Sequence, residues 1–227
     1  MVNAVLERLY REQEVVHRNG RRKPICPPGL SVERGAYLFE LIRDRRPERT
    51  LEIGFAYGIS TLHICEALRQ NGHGHHVVID PLEHTRFDGL GLRHVEEAGL
   101  SRWMTFYEEP SEYCLARLAR EGLRVDVAFD DSGHLFDHVV TEFLFLARLL
   151  RLDGLLVVDD VNLPGVGRAV DFLETNRGDF EDAVTGKGRG LIRRMLGRRV
   201  PPPPAHFRVF RKIADEDPRD WKDFVPF

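Results

Sequence analysis

The sequence predicts an α/β chain: one doubly wound sheet of seven strands, mostly parallel with an antiparallel late strand, preceded by N-terminal helices. Three observations carry this expectation. Short apolar runs recur without the polar alternation of a half-exposed sheet, as strands covered on both faces require. Between them lie segments with the apolar spacing of amphipathic helices. The two kinds of segment alternate from about residue 30 onward, which within one sheet implies right-handed crossovers.

Along the chain, strands are expected at 50–53, 76–80, 104–107, 125–130 and 155–159, with later ones at 180–184 and 207–213. Helices are expected at 60–70, 91–98, 111–120, 137–151 and 166–176, and Ser111 followed by Glu112 makes a helix start. Before the first strand, 4–17 and 32–45 read as two helices joined by a basic, Pro-containing loop, 18–30. The organisation expected is one domain over 1–227, with a helical appendage (1–48), a ligand-binding core (49–176) and late strands (177–227). Within the last part, 186–204 carries six basic residues, no acidic ones and four consecutive prolines, the composition of an exposed insertion.

With 227 residues, 42% hydrophobic, the chain can bury one large core. Lys plus Arg number 33 and Asp plus Glu 36, so the net charge of −3 offers no global attraction to nucleic acid or an anionic membrane. Cys26, Cys65 and Cys114 form no CxxC pair, which argues against a disulfide framework or a zinc knuckle. The first residues lack a signal-peptide core, and the most apolar stretch, 143–150, is short and carries Arg148. A reducing, cytoplasmic setting without a membrane span is expected.

The first informative motif follows the first strand, Gly54-Phe-Ala-Tyr-Gly58, with Ser60 and Thr61 opening a helix. Glycines there permit positive φ and close approach of a ligand, and a helix N-terminus suits an anionic group. The spacing is G-x-x-x-G rather than G-x-G-x-x-G, which weakens a dinucleotide reading. One helix and one strand later, Asp80 stands at a strand tip, where a carboxylate can accept from both ribose hydroxyls. Alone, the glycines are a turn and Asp80 a cap; together they point to a nucleoside cofactor.

From about Gly35 to Asn176 these residues resemble the class I S-adenosylmethionine-dependent methyltransferases, and within them the O-methyltransferases of catechol, caffeoyl-CoA and macrolide-sugar type. The resemblance implies a Rossmann-like sheet and S-adenosylmethionine as cofactor. It implies that Glu52 and the glycine turn (Gly54, Ala56, Gly58, Ser60) surround the methionine moiety, that Asp80 binds the ribose, and that Ser111 and Glu112 contact adenine. Glu109-Pro110 stands just before this pair, where the family usually has small residues.

A second cluster lies at the ends of the fourth and fifth strands, Phe129-Asp-Asp131-Ser-Gly-His134 and Val158-Asp159-Asp160-Val-Asn162. Ligands of such sheets bind at the carboxyl ends of the strands, near the switch in winding. Three converging carboxylates repel unless neutralised, and a hard divalent cation such as Mg²⁺ is the economical solution; capping of the following loops is the plainer alternative. The resemblance implies Asp131, Asp159 and Asp160 as metal ligands, with Asp160 replacing the Asn of catechol-type enzymes and Asp131 also counted beside the cofactor. It places His134 where the sugar and macrolide enzymes carry a basic histidine, and His134 is expected as the base that takes a hydroxyl proton.

The reading is a Mg²⁺-assisted O-methyltransferase of a small hydroxylated metabolite, such as a sugar, macrolide or phenol of secondary metabolism. Alternatives are a metal-independent N- or O-methyltransferase, a catalytically silent cofactor-binding partner, and, last, a nicotinamide oxidoreductase. The cluster His73-Gly-His-His76 reads as a solvated loop, and the tail 215–227, with Trp221 and Phe224, as a contact in a homodimer. Selectivity is expected from 18–30, the loop after Asp80 and 186–204.

Overall fold

Apolar runs without alternation gain most when both faces are covered, and the central sheet of the computed structural model is built from such runs. The structure describes residues 3–25, 29–183 and 200–227. Five strands run parallel: β3 (Arg49–Ile53), β4 (His75–Ile79), β5 (Met104–Tyr107), β6 (Val125–Asp130) and β7 (Leu150–Val158). The late strands β8 (Phe180–Asp182) and β9 (Arg208–Lys212) complete a sheet of order β5-β4-β3-β6-β7-β9-β8, with β9 antiparallel to both neighbours. The expected seven strands, parallel but for the late ones, are therefore present, although position 184 and the stretch 186–199 of the basic insertion lie outside the described residues, as does Cys26.

Alternate residues of each strand feed two apolar layers. Val78, Val127, Phe129, Leu155 and Val157 pack with α2 (Val32–Arg45), α3 (Ile59–Asn71) and the N-terminal helix on one face. Val77, Ile79, Ala128, Leu156 and Val158 pack with α5 (Ser111–Arg120), α6 (Phe136–Leu149) and α7 (Pro164–Asn176) on the other. Helix α4 (Leu90–Glu97) joins the first layer through Leu90 and Val95. Helix α6 stops at Leu149, two residues before the expected end, because β7 begins at once and its Leu150 pairs with Val125.

The N-terminal segment corrects an expectation. Helix α1 covers Ala4–Glu12, capped by the Asn3 side chain, and Gln13 then turns left-handed at φ 59°. The chain continues as β1 (Glu14–Val16) and β2 (Arg22–Pro24), an antiparallel hairpin where a longer helix and a loop were expected. The physical reason is local: β-branched Val15 and Val16 favour extended backbone, and Asn19-Gly20, with Gly20 at φ 77°, supplies the reversal. No helix among the described residues is long and apolar enough to cross a membrane.

Two contacts seat α2. An added Cβ on Gly35 would lie 2.3 Å from His63 Nε2 on α3, so only glycine lets the helices approach this closely. Tyr37 of α2 meets the ring of Phe207, which also packs on Phe129 of β6.

Candidate active site

The winding of the sheet reverses between β3 and β6, and at that edge the backbone registers four residues in one row. Each amide donates to the last carbonyl of the neighbouring strand: Asp80 to Tyr107 at 3.1 Å, Gly54 to Ile79 at 2.9 Å, Asp131 to Ile53 at 3.0 Å and Asp159 to Asp130 at 2.9 Å. The parallel register thus carries residues from distant parts of the chain to the crevice where ligands of such sheets bind.

Gly54 has φ 93°, and a Cβ there would stand 2.0 Å from the Asp131 carbonyl oxygen. Glycine is required by the approach of two strand ends, before any ligand is considered. The turn continues through Ala56 (φ 48°) to Gly58 (φ 75°), which starts α3. Its conformation is held by Asp80, whose Oδ2 accepts from the amides of Phe55 (2.8 Å) and Ala56 (3.0 Å) while Oδ1 accepts from Leu82 (2.7 Å). Three amides on a carboxylate leave about one of its four acceptor positions free. Asp80→Ala is expected to lower stability by about 2–4 kcal/mol and weaken S-adenosylhomocysteine binding. Melting and calorimetry check this, with Asp80→Asn expected to fall between, since its carbonyl still accepts.

Glu52 and Ser60 are both buried and hydrogen-bonded to each other. Glu52 is fully buried and accepts from the Ser60 and Thr61 hydroxyls, with His76 Nε2 at 2.9 Å and Thr50 Oγ1 2.8 Å from the far side of that ring. This closed network ties the first turn of α3 to β3 and β4, and a buried carboxylate so satisfied is not costly. It also corrects the expectation for the histidine cluster, because His76 is buried in the sheet rather than solvated.

Ser111 opens α5 and donates to Glu142 Oε1 at 2.6 Å, while Ser132 donates to Oε2 at 2.7 Å. Glu142, buried on α6, thereby fastens the start of α5 to the loop after β6, and its carboxyl is pushed up, chiefly by burial. Glu112 is exposed beside Ser111. Glu83, just past Asp80, is also fully buried; one oxygen accepts from the Leu92 amide and burial pushes its carboxyl up to about 7. The hairpin reaches the same region: His17 Nε2 lies 3.1 Å from the Tyr57 hydroxyl, and Arg18 pairs with Asp88. Two of the expected selectivity segments therefore touch.

Asp131, His134 and Asp160 form a group whose ligating atoms lie within 4.8 Å of one another. His134 Nε2 is 3.3 Å from Asp131 Oδ1 and 3.4 Å from Asp160 Oδ2. The hydrogen bond with Asp131, opposed by burial, raises the imidazole pKa above its ordinary value, and the negative charges of Asp131, Asp160 and Asp159 add to the rise. Asp131 itself is pushed up by burial, against the pull of His134.

Asp159 lies outside this group because Arg34 of α2 claims it. Arg34 Nη1 donates to Asp159 Oδ1 and Oδ2, both at 2.7 Å, and to Asp160 Oδ1 at 3.0 Å. Asp159 Oδ1 also accepts from the Asp160 amide at 2.6 Å. Burial and the charge of Asp131 push the Asp159 carboxyl up to about 7 against the pull of Arg34. Burial opposes the Arg34 charge, yet its bonds to Asp159 and the surrounding carboxylates raise its pKa. On the outer side, His206 Nδ1 is 2.5 Å from Asn162 Oδ1 and 3.9 Å from Asp160. Arg34 and His206 are the residues sequence reasoning missed here; nothing local marks either.

A glycine turn at the switch point, an acidic residue at the next strand tip and a reversed last strand define the class I, Rossmann-like methyltransferase fold. Residues 51–161 match the family model described as "Methyltransferase domain", and the chain has the α/β fold of such methyltransferases. It is 27% identical over 126 residues to the rhamnosyl O-methyltransferase of Mycobacterium bovis (strain BCG / Pasteur 1173P2), covering 56% of this chain and 51% of that protein. The chain thus spans about half the length of the curated relatives it matches. The O-methyltransferase TomG from Streptomyces achromogenes, involved in tomaymycin synthesis and solved with S-adenosylmethionine, superposes with TM-score 0.59 at 25% identity, covering 67% of this chain and 72% of that one. An O-methyltransferase from Bacillus cereus, solved with S-adenosylhomocysteine, shares the fold over 93% of this chain and 91% of its own, with TM-score 0.64 at 14% identity.

Proposed function

We propose that the chain methylates a hydroxyl of a small metabolite, with S-adenosylmethionine as donor and His134 as general base. The observation that carries this reading is the setting of His134, beside two carboxylates at the crevice edge where the glycine turn begins. When bound, the cofactor supplies an electrophilic methyl group on a sulfonium centre. The turn of Gly54, Ala56 and Gly58 lines the methionine end, Asp80 offers its remaining acceptor position to the ribose, and Ser111 with Glu112 borders adenine. With Nε2 donating to the carboxylates, Nδ1 is the ring nitrogen left to take the acceptor's hydroxyl proton as the oxygen attacks, and Asp131 and Asp160 stabilise the imidazolium that results.

The magnesium expected on Asp131, Asp159 and Asp160 does not fit these residues as they stand. Of the four oxygens of Asp159 and Asp160, three are on Arg34 and the fourth faces His134. We therefore assign no step to a metal. The name of the rhamnosyl O-methyltransferase among its relatives supports a sugar-like acceptor, with a macrolide or phenol as the other expected kinds. One domain over 1–227, a cytoplasmic setting and a homodimer contact through the exposed Trp221 and Phe224 complete the reading.

Calorimetry with S-adenosylhomocysteine, followed by transfer of labelled methyl to a panel of rhamnosides and phenols, tests the proposal. Binding with label on an acceptor oxygen is the expected result. Absence of binding overturns it, and binding with no transfer to any hydroxyl acceptor favours a silent cofactor-binding protein.

A further inference from the structure

We propose that Arg34 is the resident cation of the acidic site, its guanidinium taking the place of a divalent metal and positioning Asp160 against His134. The inference rests on the methyltransferase reading only in naming His134 as the base; the charge argument is independent of it.

Carboxylates brought together away from water must be neutralised by protons, a metal or a cationic side chain. Here the answer is a side chain held rigidly enough to act as a fixed charge. Arg34 lies in the first turn of α2, its amide bonded to the Ser31 cap at 3.3 Å. The next residue, Gly35, sits flush on His63, and Tyr37 is packed on Phe207 beside β9. The Tyr10 hydroxyl closes the other side, 3.1 Å from His63 Nε2 and 3.4 Å from the Ser31 carbonyl. The guanidinium is therefore delivered by a packed helix, and its side chain is only 19% exposed.

A single Nη1 reaching three carboxylate oxygens satisfies both oxygens of Asp159 and one of Asp160, the donors that a metal on this pair would need. A hard divalent ion between Asp159 and Asp160 would have to displace this bonded charge, and one in the Asp131, His134 and Asp160 group would have to take an imidazole among its ligands, whereas such ions prefer oxygen alone. Holding Asp160 Oδ1 on Arg34 turns the other oxygen, Oδ2, toward His134 at 3.4 Å. Arg34 thus acts through Asp160 rather than on the acceptor.

The test uses the full chain stripped with chelator. Wild type is expected to keep methyl transfer in chelator and to show no specific Mn²⁺ binding by electron paramagnetic resonance. Arg34→Ala is expected to lose about 100-fold in kcat from a misplaced His134–Asp160 pair, to gain a Mn²⁺ site, and to recover in part with Mg²⁺ or Mn²⁺. Arg34→Lys should keep metal-independent transfer. Stoichiometric Mn²⁺ binding by wild type, or its loss of activity in chelator, overturns the proposal, as does an Arg34→Ala variant with unchanged kcat and no metal site. If Arg34→Ala does not fold, the wild-type titration decides. Because that titration needs no cofactor, a failure of S-adenosylhomocysteine to bind sinks the methyltransferase reading while leaving the Arg34 question answerable.

Discussion

Replacing His134 with alanine is expected to lower kcat by about 10²–10⁴-fold while S-adenosylhomocysteine affinity stays within a few-fold of wild type. The split follows from the geometry. His134 touches Asp131 and Asp160 and does not hold the glycine turn, which depends on Asp80. Because His134 sits at φ 59°, His134→Asn is the better structural control, since asparagine tolerates the left-handed region. The pH profile adds a second readout. A base must be neutral to act, and Asp131, with further help from Asp160 and Asp159, stabilises the protonated imidazole. The rate should therefore rise with pH and reach half its plateau above the ordinary imidazole value of about 6.5. A profile flat through that region, or a His134→Asn enzyme of wild-type rate, would show that the proton leaves by another route.

Gly54→Ala is expected to be the most damaging single-methyl change in the crevice. Its Cβ would meet the Asp131 carbonyl at 2.0 Å, a backbone atom that cannot rotate away, and φ 93° is closed to alanine besides. The ends of β3 and β6 would have to part, pulling Asp131 away from His134. A loss of roughly 3 kcal/mol or more in stability, with cofactor binding abolished, is the expected outcome. Gly72→Ala serves as the comparison: φ is 77° there too, but nothing lies within 4 Å of the added carbon. That variant should cost only about 1 kcal/mol of backbone strain. Similar urea midpoints for the two variants would show that the approach of Asp131 is not what demands glycine.

The parallel core was legible because its strands are buried on both faces, so that Val77 to Ile79 or Leu155 to Val158 read as uninterrupted apolar runs. The strand-end residues followed from the same logic, since a run ending in Asp80, Asp131 or Asp159 places that side chain at the sheet edge. The hairpin was not legible: Val15 and Val16 continue the apolar spacing of α1, and only the left-handed Gln13 breaks the helix. Roles that depend on distant partners were hidden as well. Glu142 is an acidic residue among apolar ones on α6, and nothing nearby says that it faces Ser111 and Ser132. Glu52 and Ser60, expected at the cofactor by resemblance, also bond each other, a link between β3 and the first turn of α3 that the spacing does not reveal. Arg34 is the extreme case, meeting a carboxylate 125 residues further along the chain.

The position of β9 between β7 and β8 has a consequence for how the chain is made. Strand β8 pairs only with β9 among the described residues, and the outer edge of β7 pairs only there too. On a ribosome, Leu155 to Val158 emerge some fifty residues before their antiparallel partners at 208–211. Throughout that interval the nascent chain carries an open, wholly apolar strand edge, the kind of surface that invites pairing with another chain. Yield in the cell should therefore depend on how quickly translation passes residue 212, and on chaperones that shield that edge until it does.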